Sequence, residues 1–495
     1  MSVSSTESYA ATRTWPRRIG LLNDYLRIPY ANGSSFASQF LYRELMARGH
    51  DVTVLGPREA SAKPGDLPRQ TVQFPALPLR NHPGVYLPLP GKAALTQAAA
   101  QRFDVTLAQA CSAFLDLGAW LRVAHDVPFL CVNTVHLPSA SNVVLPDSLV
   151  HNRSFQRVYG DWFIPWVETL YVQNYNNSDG LIVLSESFRS YWRQRGVKVP
   201  IHVIPRAVEP KIFDVTSDID PFAPEAKRGG RLLVVCRHTR EKEIERLLEI
   251  FARWIAPAVP DATLTLVGDG PDHDAFRAKA RELGVEDRTF FPGEFPVTDI
   301  PTFYRFADLF VYTSLSETYG QVVSEAMWCG LPVVALDDGM GVSSQVRDGE
   351  TGVLVTHGPD ADFTDWRFGG EVVALLRNRS RRTAMSEAAR ASRRETVSPE
   401  RIVDCYYEAF DSARRHCADT KAQRRHKSGL GVLAHWSWIN VATAGFGVLR
   451  APAVINRHGR RQPSWEALGE SERTSGIDLA GPVPMGVADS ERIGA

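Results

Sequence analysis

Hydrophobic and polar positions along the chain follow two periods. Short apolar or β-branched runs recur. Each gives way to a polar turn and then to a stretch whose apolar residues return every three or four positions. The runs predict buried strands and the stretches predict one-sided helices. The clearest unit lies between Ala307 and Leu336. Leu309–Tyr312 reads as a strand and Ser314–Gly320 as a polar loop. Gln321–Cys329 has apolar residues at Val322, Val323, Ala326 and Met327, a helical spacing. Gly330 suits a helix C-cap, Pro332 stops continuation, and Val333–Leu336 reads as the next strand.

Similar units precede it. Ile19–Leu22 is a strand. Asn32-Gly33-Ser34-Ser35 is a turn with an N-cap, followed by a helix with its stripe at Phe36, Phe40, Leu41 and Leu45, and Asp51–Leu55 is a strand. Phe103–Leu107, Pro128–Val132 and Asn177–Ser185 read as further strands. In the second half, Leu232–Cys236, Thr263–Val267 and Thr289–Gly293 read as strands, and Glu371–Arg377, Arg381–Arg393 and Pro399–Arg415 as helices. Val72–Pro90 is Pro-rich and reads as a rigid loop over the N-terminal domain. Val150–Tyr175 is aromatic and helical in spacing, with Pro165 expected to kink it or start a second helix. Core packing is its default explanation, and a cleft wall for an apolar acceptor is the alternative.

Composition narrows the class. A chain of 495 residues with 44% hydrophobic and 23% charged residues implies two globular domains plus tails. A net charge of zero argues against a generally basic nucleic-acid surface. The six cysteines show no metal-type spacing, and most lie in apolar elements, as buried thiols in a reducing compartment do. Residues 1–16 contain no apolar stretch of the kind a secretory signal needs, and both 1–16 and 462–495 read as disordered.

Two carboxylates mark the central unit. Glu317 lies in the loop and Glu325 in the helix, roughly 7 Å along it from Gly320 at ~1.5 Å per residue. A pyrophosphate at the helix N-terminus would leave Glu325 placed for a ribose and Glu317 facing a sugar. Ionised carboxylates are pure acceptors, suited to pairs of hydroxyls.

ETYGQVVSEAMWCGLPVV resembles the E-x7-E signature of the retaining glycosyltransferases of family 4. The resemblance runs over roughly residues 17 to 415 and is strongest between 230 and 356. It implies an α/β chain of the GT-B fold: two facing Rossmann-like domains with parallel sheets and a donor site in the interdomain cleft. The implied division is a disordered tail at 1–16, an acceptor domain at 17–205, a donor domain at 206–398, a returning helix at 399–418 and an extension at 419–495.

The resemblance also assigns roles. Glu317 would contact the donor sugar and Glu325 the donor ribose, and the backbone of Thr318, Tyr319, Gly320 and Gln321 would add N–H donors. Arg237 and Lys242 align with an Arg-x4-Lys pair that stabilises the departing diphosphate, although Cys236 and Glu243 replace its flanking glycines. Gly33 would let backbone approach the donor phosphates. His136 would face the cleft near the donor sugar. The linker His202–Phe213 departs from the family pattern at Arg206, Ala207 and Glu209. The family needs neither metal nor cofactor, because the nucleotide-sugar, UDP- or GDP-linked, is itself the donor substrate.

The expected activity is transfer of a hexose, with anomeric retention, to a hydroxyl acceptor. The Pro-rich loop and the tail point to a membrane lipid and hence to glycolipid synthesis. A soluble polysaccharide or metabolite is the rival acceptor, and a catalytically silent nucleotide-binding protein is the alternative of another class. The tail carries Gly429–Leu449, 21 residues without Asp, Glu, Lys or Arg, between basic flanks. Its length could just cross ~30 Å of hydrocarbon. Trp436 and Trp438 suit headgroup depth, so an interfacial segment on the cytoplasmic face of a membrane fits better, with an extra helix packed on the protein as the alternative.

Overall fold

The computed structural model describes residues 16–26, 33–59, 67–78, 86–109, 114–134, 136, 153–215, 217–227, 229–424 and 427–447. The tails at 1–16 (save Pro16) and 462–495, Asn32 of the first turn, and the ends of the aromatic and Gly429–Leu449 stretches lie outside the described residues.

The first half builds a seven-stranded sheet. β1 (Arg18–Asn23), β2 (Asp51–Pro57) and β3 (Thr71–Phe74) come first. β4 (Ala76–Pro78) and β5 (Tyr86–Pro88) pair separately as an antiparallel ribbon. β6 (Val105–Gln109), β7 (Phe129–Val132), β8 (Gly180–Val183) and β9 (Ile201–Val203) complete the sheet in the order β3-β2-β1-β6-β7-β8-β9. Every pairing in it is parallel. Parallel strands are covered by helices on both faces, so they read as unbroken apolar runs, and every residue of β6 to β8 is buried. The Val72–Pro90 loop expectation is corrected here. Val72 and Phe74 enter the core on an edge strand, and Pro78 and Pro88 lie within the two-stranded ribbon itself, where prolines are tolerated.

The second half repeats the plan with six strands: β10 (Arg231–Val235), β11 (Thr263–Val267), β12 (Thr289–Gly293), β13 (Leu309–Tyr312), β14 (Val333–Leu336) and β15 (Gly352–Val355). They are ordered β12-β11-β10-β13-β14-β15, again all parallel. The winding reverses between β10 and β13. In such sheets ligands bind beyond the strand ends at that reversal.

The chain then crosses back. Helix Pro399–Asp419, capped by Ser398 with proline in its first turn, buries Ile402, Val403, Tyr406 and Phe410 among Ile19, Leu107, Leu130 and Ile182 of the first sheet. A buried clasp secures it: Arg122 donates to Asp179 at 2.7 Å, and His416 Nδ1 lies 3.0 Å from the same carboxylate oxygen. Burial alone would raise the Asp179 pKa, but His416 and Arg122 outweigh it and hold the group below the usual carboxylate range.

The terminal helix, Gly429–Gly447, corrects the reading of Trp436. It packs on helix Phe114–His125. Trp436 is fully buried between Phe74 and Phe114, and its Nε1 donates to the Pro88 carbonyl at 2.8 Å. His435 Nδ1 meets the buried Asp116 carboxylate at 2.7 Å. Trp436 therefore fills the first domain's core and is not at headgroup depth. No helix among the described residues is long and apolar enough to cross a membrane.

The aromatic stretch also departs from expectation. Arg153–Val158 is α-helical, Tyr159–Phe163 is a π-helical turn, and Ile164–Asn176 resumes the α-helix with Pro165 in its first turn. Phe155, Tyr159 and Phe163 stack successively, but Trp162 and Trp166 are exposed by 78% and 43%. The stacked row runs on through the π-turn, while the two tryptophans face outward instead of entering the core.

Candidate functional site

The site begins where β13 ends. Tyr312 is the last residue of the strand, and Thr313–Gly320 turns across the C-terminal edge of the sheet. Gly320 has φ +77 and serves as the N-cap of helix Gln321–Trp328, a backbone position that favours glycine. The helix has no side-chain cap where it starts at the crevice edge of the sheet. Gly341 supports the loop from behind: a Cβ there would stand 2.5 Å from the Tyr319 nitrogen. Gln345, buried, donates Nε2 to the carbonyls of Tyr319, Gly320 and Gly341. The Tyr319 ring points inward, its hydroxyl 3.3 Å from Ser324 Oγ, so the residue can offer the crevice only backbone.

Glu317 is held on three sides. Its Oε1 accepts from Lys242 Nζ at 2.5 Å, Tyr312 Oη at 2.7 Å and Ser314 Oγ at 2.9 Å. Burial would raise its pKa, but Lys242, Tyr312 and Ser314 together lower it, and Glu317 is ionised at neutral pH. Lys242, also buried, is kept charged by Glu317 and Glu241 against that burial.

Lys242 reaches Glu317 from the loop after β10, across the point where the winding reverses. Glu243 follows at φ +54, a left-handed conformation that glycine adopts more easily, and its carbonyl accepts from Thr313 at 3.0 Å. Its carboxyl pKa is raised by burial, against the pull of Arg246. Arg237 is exposed at the mouth of the same loop.

Glu325 lies one turn into the helix with partners of its own. Tyr304 Oη donates to its Oε2 at 3.2 Å, and Gln321 also bonds it. These bonds lower its pKa less than burial raises it, and the carboxyl is pushed up to about 8. Burial favours its protonated form, and among the described residues no cation stands beside it to offset desolvation.

Gly33 and His136 belong to the first domain. Gly33 is the first residue of helix Gly33–Ala47 after β1. His136 follows β7, its ring against Phe188 and Tyr191. Burial lowers its pKa, so the imidazole is neutral at pH 7. The structure thus brings Lys242 into contact with Glu317 and places Glu325 one turn into the following helix, while Gly33 opens a helix and His136 follows β7 in the other domain. Tyr312, Ser314, Tyr304 and Gln345 escape sequence reasoning. Only Tyr312 leaves a trace, as the polar-ended residue closing an apolar strand.

Two facing parallel α/β domains, with ligand-side loops at the winding reversal and a helix returning from the second domain to the first, define the class of GT-B glycosyltransferases. Two family models match in tandem: "Glycosyltransferase Family 4" over residues 32–212 and "Glycosyl transferases group 1" over residues 217–392. Together these matches cover well over half of the sequence, and the chain belongs to this glycosyltransferase family.

Among similar curated proteins, a D-inositol 3-phosphate glycosyltransferase of Kribbella flavida is 40% identical over 192 residues, covering 35% of this chain and 44% of the relative. A GDP-mannose-dependent alpha-(1-6)-phosphatidylinositol monomannoside mannosyltransferase of Mycolicibacterium smegmatis is 32% identical over 196 residues, covering 35% and 48%. An N-acetyl-alpha-D-glucosaminyl L-malate synthase of Bacillus anthracis is 29% identical over 175 residues, covering 35% and 43%. The chain spans less than half the length of each of these three relatives. Among solved structures, Anabaena HepE in complex with UDP superposes with a TM-score of 0.60 at 17% identity, covering 80% of this chain and 100% of that one. The sucrose-phosphate synthase of Thermosynechococcus elongatus gives 0.60 at 19%, with the same coverage. Both are similar to this chain in fold.

Proposed function

We propose that the chain transfers a hexose from a nucleotide-sugar to a hydroxyl acceptor with retention at the anomeric carbon. The observation that carries this reading is the Lys242–Glu317 pair at the winding reversal, with Tyr312 and Ser314 fixing the carboxylate. Glu317 orients the donor sugar through its hydroxyls. Lys242 and Arg237 offset the charge that grows on the diphosphate as its bond to C1 breaks. The acceptor oxygen bonds C1 on the same face, and its proton passes to the departing phosphate oxygen. The uncapped helix at Gln321 offers N–H groups to the phosphates, Gly33 allows backbone approach from the other domain, and neutral His136 bonds a sugar hydroxyl. Glu325 serves the ribose as a protonated donor or, once a ligand lowers its pKa, as an acceptor.

The acceptor we favour carries an acidic group. The three relatives named above take, by their names, an inositol phosphate, a phosphatidylinositol mannoside and malate, all anionic. The buried Trp436 removes one argument for a lipid, so a soluble anionic acceptor stands beside the lipid reading. The test is nucleotide release from UDP-, GDP- and ADP-sugars by the full chain. It is run with inositol 3-phosphate, with malate, and with vesicles containing phosphatidylinositol. Release from one donor that rises with one acceptor, with the glycoside recovered, supports the proposal and names both substrates. Nucleotide binding without release in any mixture points to a silent binder.

A further inference from the structure

Arg206 opens the linker between the domains, and the linker is pinned at each of the next three residues. The Ala207 carbonyl accepts from Gln321 Nε2 at 3.2 Å. The Val208 N–H donates to the Val397 carbonyl at 3.1 Å. Glu209 accepts both its bonds from Arg43 of helix Gly33–Ala47, at 2.6 Å each. The Arg206 backbone is therefore fixed relative to both domains.

Its side chain has neighbours from both domains. It lies within electrostatic reach of Tyr406 on the returning helix and of Tyr319 and Glu317 in the loop after β13. Burial lowers its pKa only to about 10, so the guanidinium is charged at neutral pH. Nε is buried with no hydrogen-bond partner. Among the described residues, no carboxylate pairs with Arg206. The carboxylate within electrostatic reach, Glu317, is already paired with Lys242. Arg393 adds a second buried guanidinium at Tyr319, with Nη2 on the Gln345 carbonyl at 3.2 Å and Nε likewise unpartnered. One carboxylate thus answers two cations, Lys242 by contact and Arg206 at longer reach.

A buried charge with no partner is costly, and groups perturbed in this way cluster where a ligand completes them. The planar guanidinium fork matches two oxygens of a phosphate or carboxylate. We propose that Arg206 is a binding residue for an anionic group on the ligand beside Glu317, reaching it from the linker. The inference rests on the proposed function only for the ligand's identity. The anion is either the donor's diphosphate or the acid group of the acceptor.

Equilibrium binding and thermal unfolding of the full chain test this without reference to turnover. Wild type, R206Q and R206K are compared with inorganic pyrophosphate, UDP, GDP, inositol 3-phosphate and inositol. R206Q is expected to melt at or above the wild-type temperature without ligand, because a buried guanidinium nitrogen with no partner is gone. It is expected to lose about tenfold or more in affinity for one class of anion, with partial recovery in R206K. Loss on pyrophosphate and the nucleotides assigns Arg206 to the donor. Loss on inositol 3-phosphate, with inositol unchanged, assigns it to the acceptor. Affinities within about twofold of wild type for every anion overturn the proposal. Should R206Q not fold, the neutral R206M takes its place, and failure of both makes Arg206 a structural prop and overturns it equally. Absence of turnover in every mixture, with anion affinity still dependent on Arg206, would reject sugar transfer and leave this inference standing.

Discussion

Glu317 and Glu325 are both largely enclosed carboxyls, eight positions apart, and their surroundings push their pKa values in opposite directions. Glu317 has a lysine and two hydroxyls on one oxygen, whereas Glu325 has a tyrosine and an amide. Glu317→Gln should lower kcat on the order of 10²-fold while nucleotide affinity changes little, read by turnover and by calorimetry with free nucleotide. Tyr312→Phe removes one of the bonds that depress the Glu317 pKa. The acid limb of its kcat/KM profile should therefore move to higher pH. Glu325 makes a thermodynamic prediction. Its carboxyl rises from an ordinary 4.5 to about 8 on folding. Between those values the folded state keeps a proton that the unfolded state has released, so this group's contribution to stability falls as pH rises. Glu325→Gln cannot ionise. Its melting temperature relative to wild type should climb from pH 5 to pH 8, and a flat difference would contradict the burial argument. The two glutamates were legible as a spaced pair in the sequence. Their protonation was not, because it depends on Lys242, Tyr312 and Tyr304, which reach them from three other elements.

At the scale of elements, legibility followed how self-contained each pattern is. The strand at Leu309–Tyr312, the helix from Gln321 and the strand at Val333–Leu336 carry their own stop signals in Gly320, Gly330 and Pro332, and they fall where those signals place them. The prolines of Val72–Pro90 hid an edge strand and a ribbon, because proline rules out a central strand but permits an edge. The terminal helix misled for another reason: a segment apolar all round reads alike whether lipid or protein covers it. Here protein covers Trp436, and Trp436→Ala should destabilise the first domain by about 3–5 kcal/mol in a denaturant titration. The loop after β10 offers a change in the other direction. Glu243 holds φ +54 where the family pattern has glycine. Glu243→Gly should remove strain worth about 1 kcal/mol, and it should tighten nucleotide binding if the carboxyl repels phosphate.

At the scale of the whole molecule, the two-sheet plan was legible because each parallel strand is a compact apolar run with a helix behind it. What joins the sheets was harder to read. The linker, the returning helix and the clasp of Arg122, Asp179 and His416 draw on residues hundreds of positions apart. No local period records such pairings. The same holds for Arg206, which read only as a departure from a pattern until Tyr319, Tyr406 and Glu317 were seen around it.

The returning helix also bears on how the chain comes to be folded. The first sheet leaves synthesis within the first 203 residues, yet its core needs Ile402, Val403, Tyr406 and Phe410, and its other face needs Trp436. Until those arrive, the earliest-made domain has apolar faces with nothing to close them, while the second, whose strands all lie between 231 and 355, can condense without outside help. The last domain to be translated is thus the first able to finish. A nascent chain stalled short of residue 399 is a natural client for a chaperone.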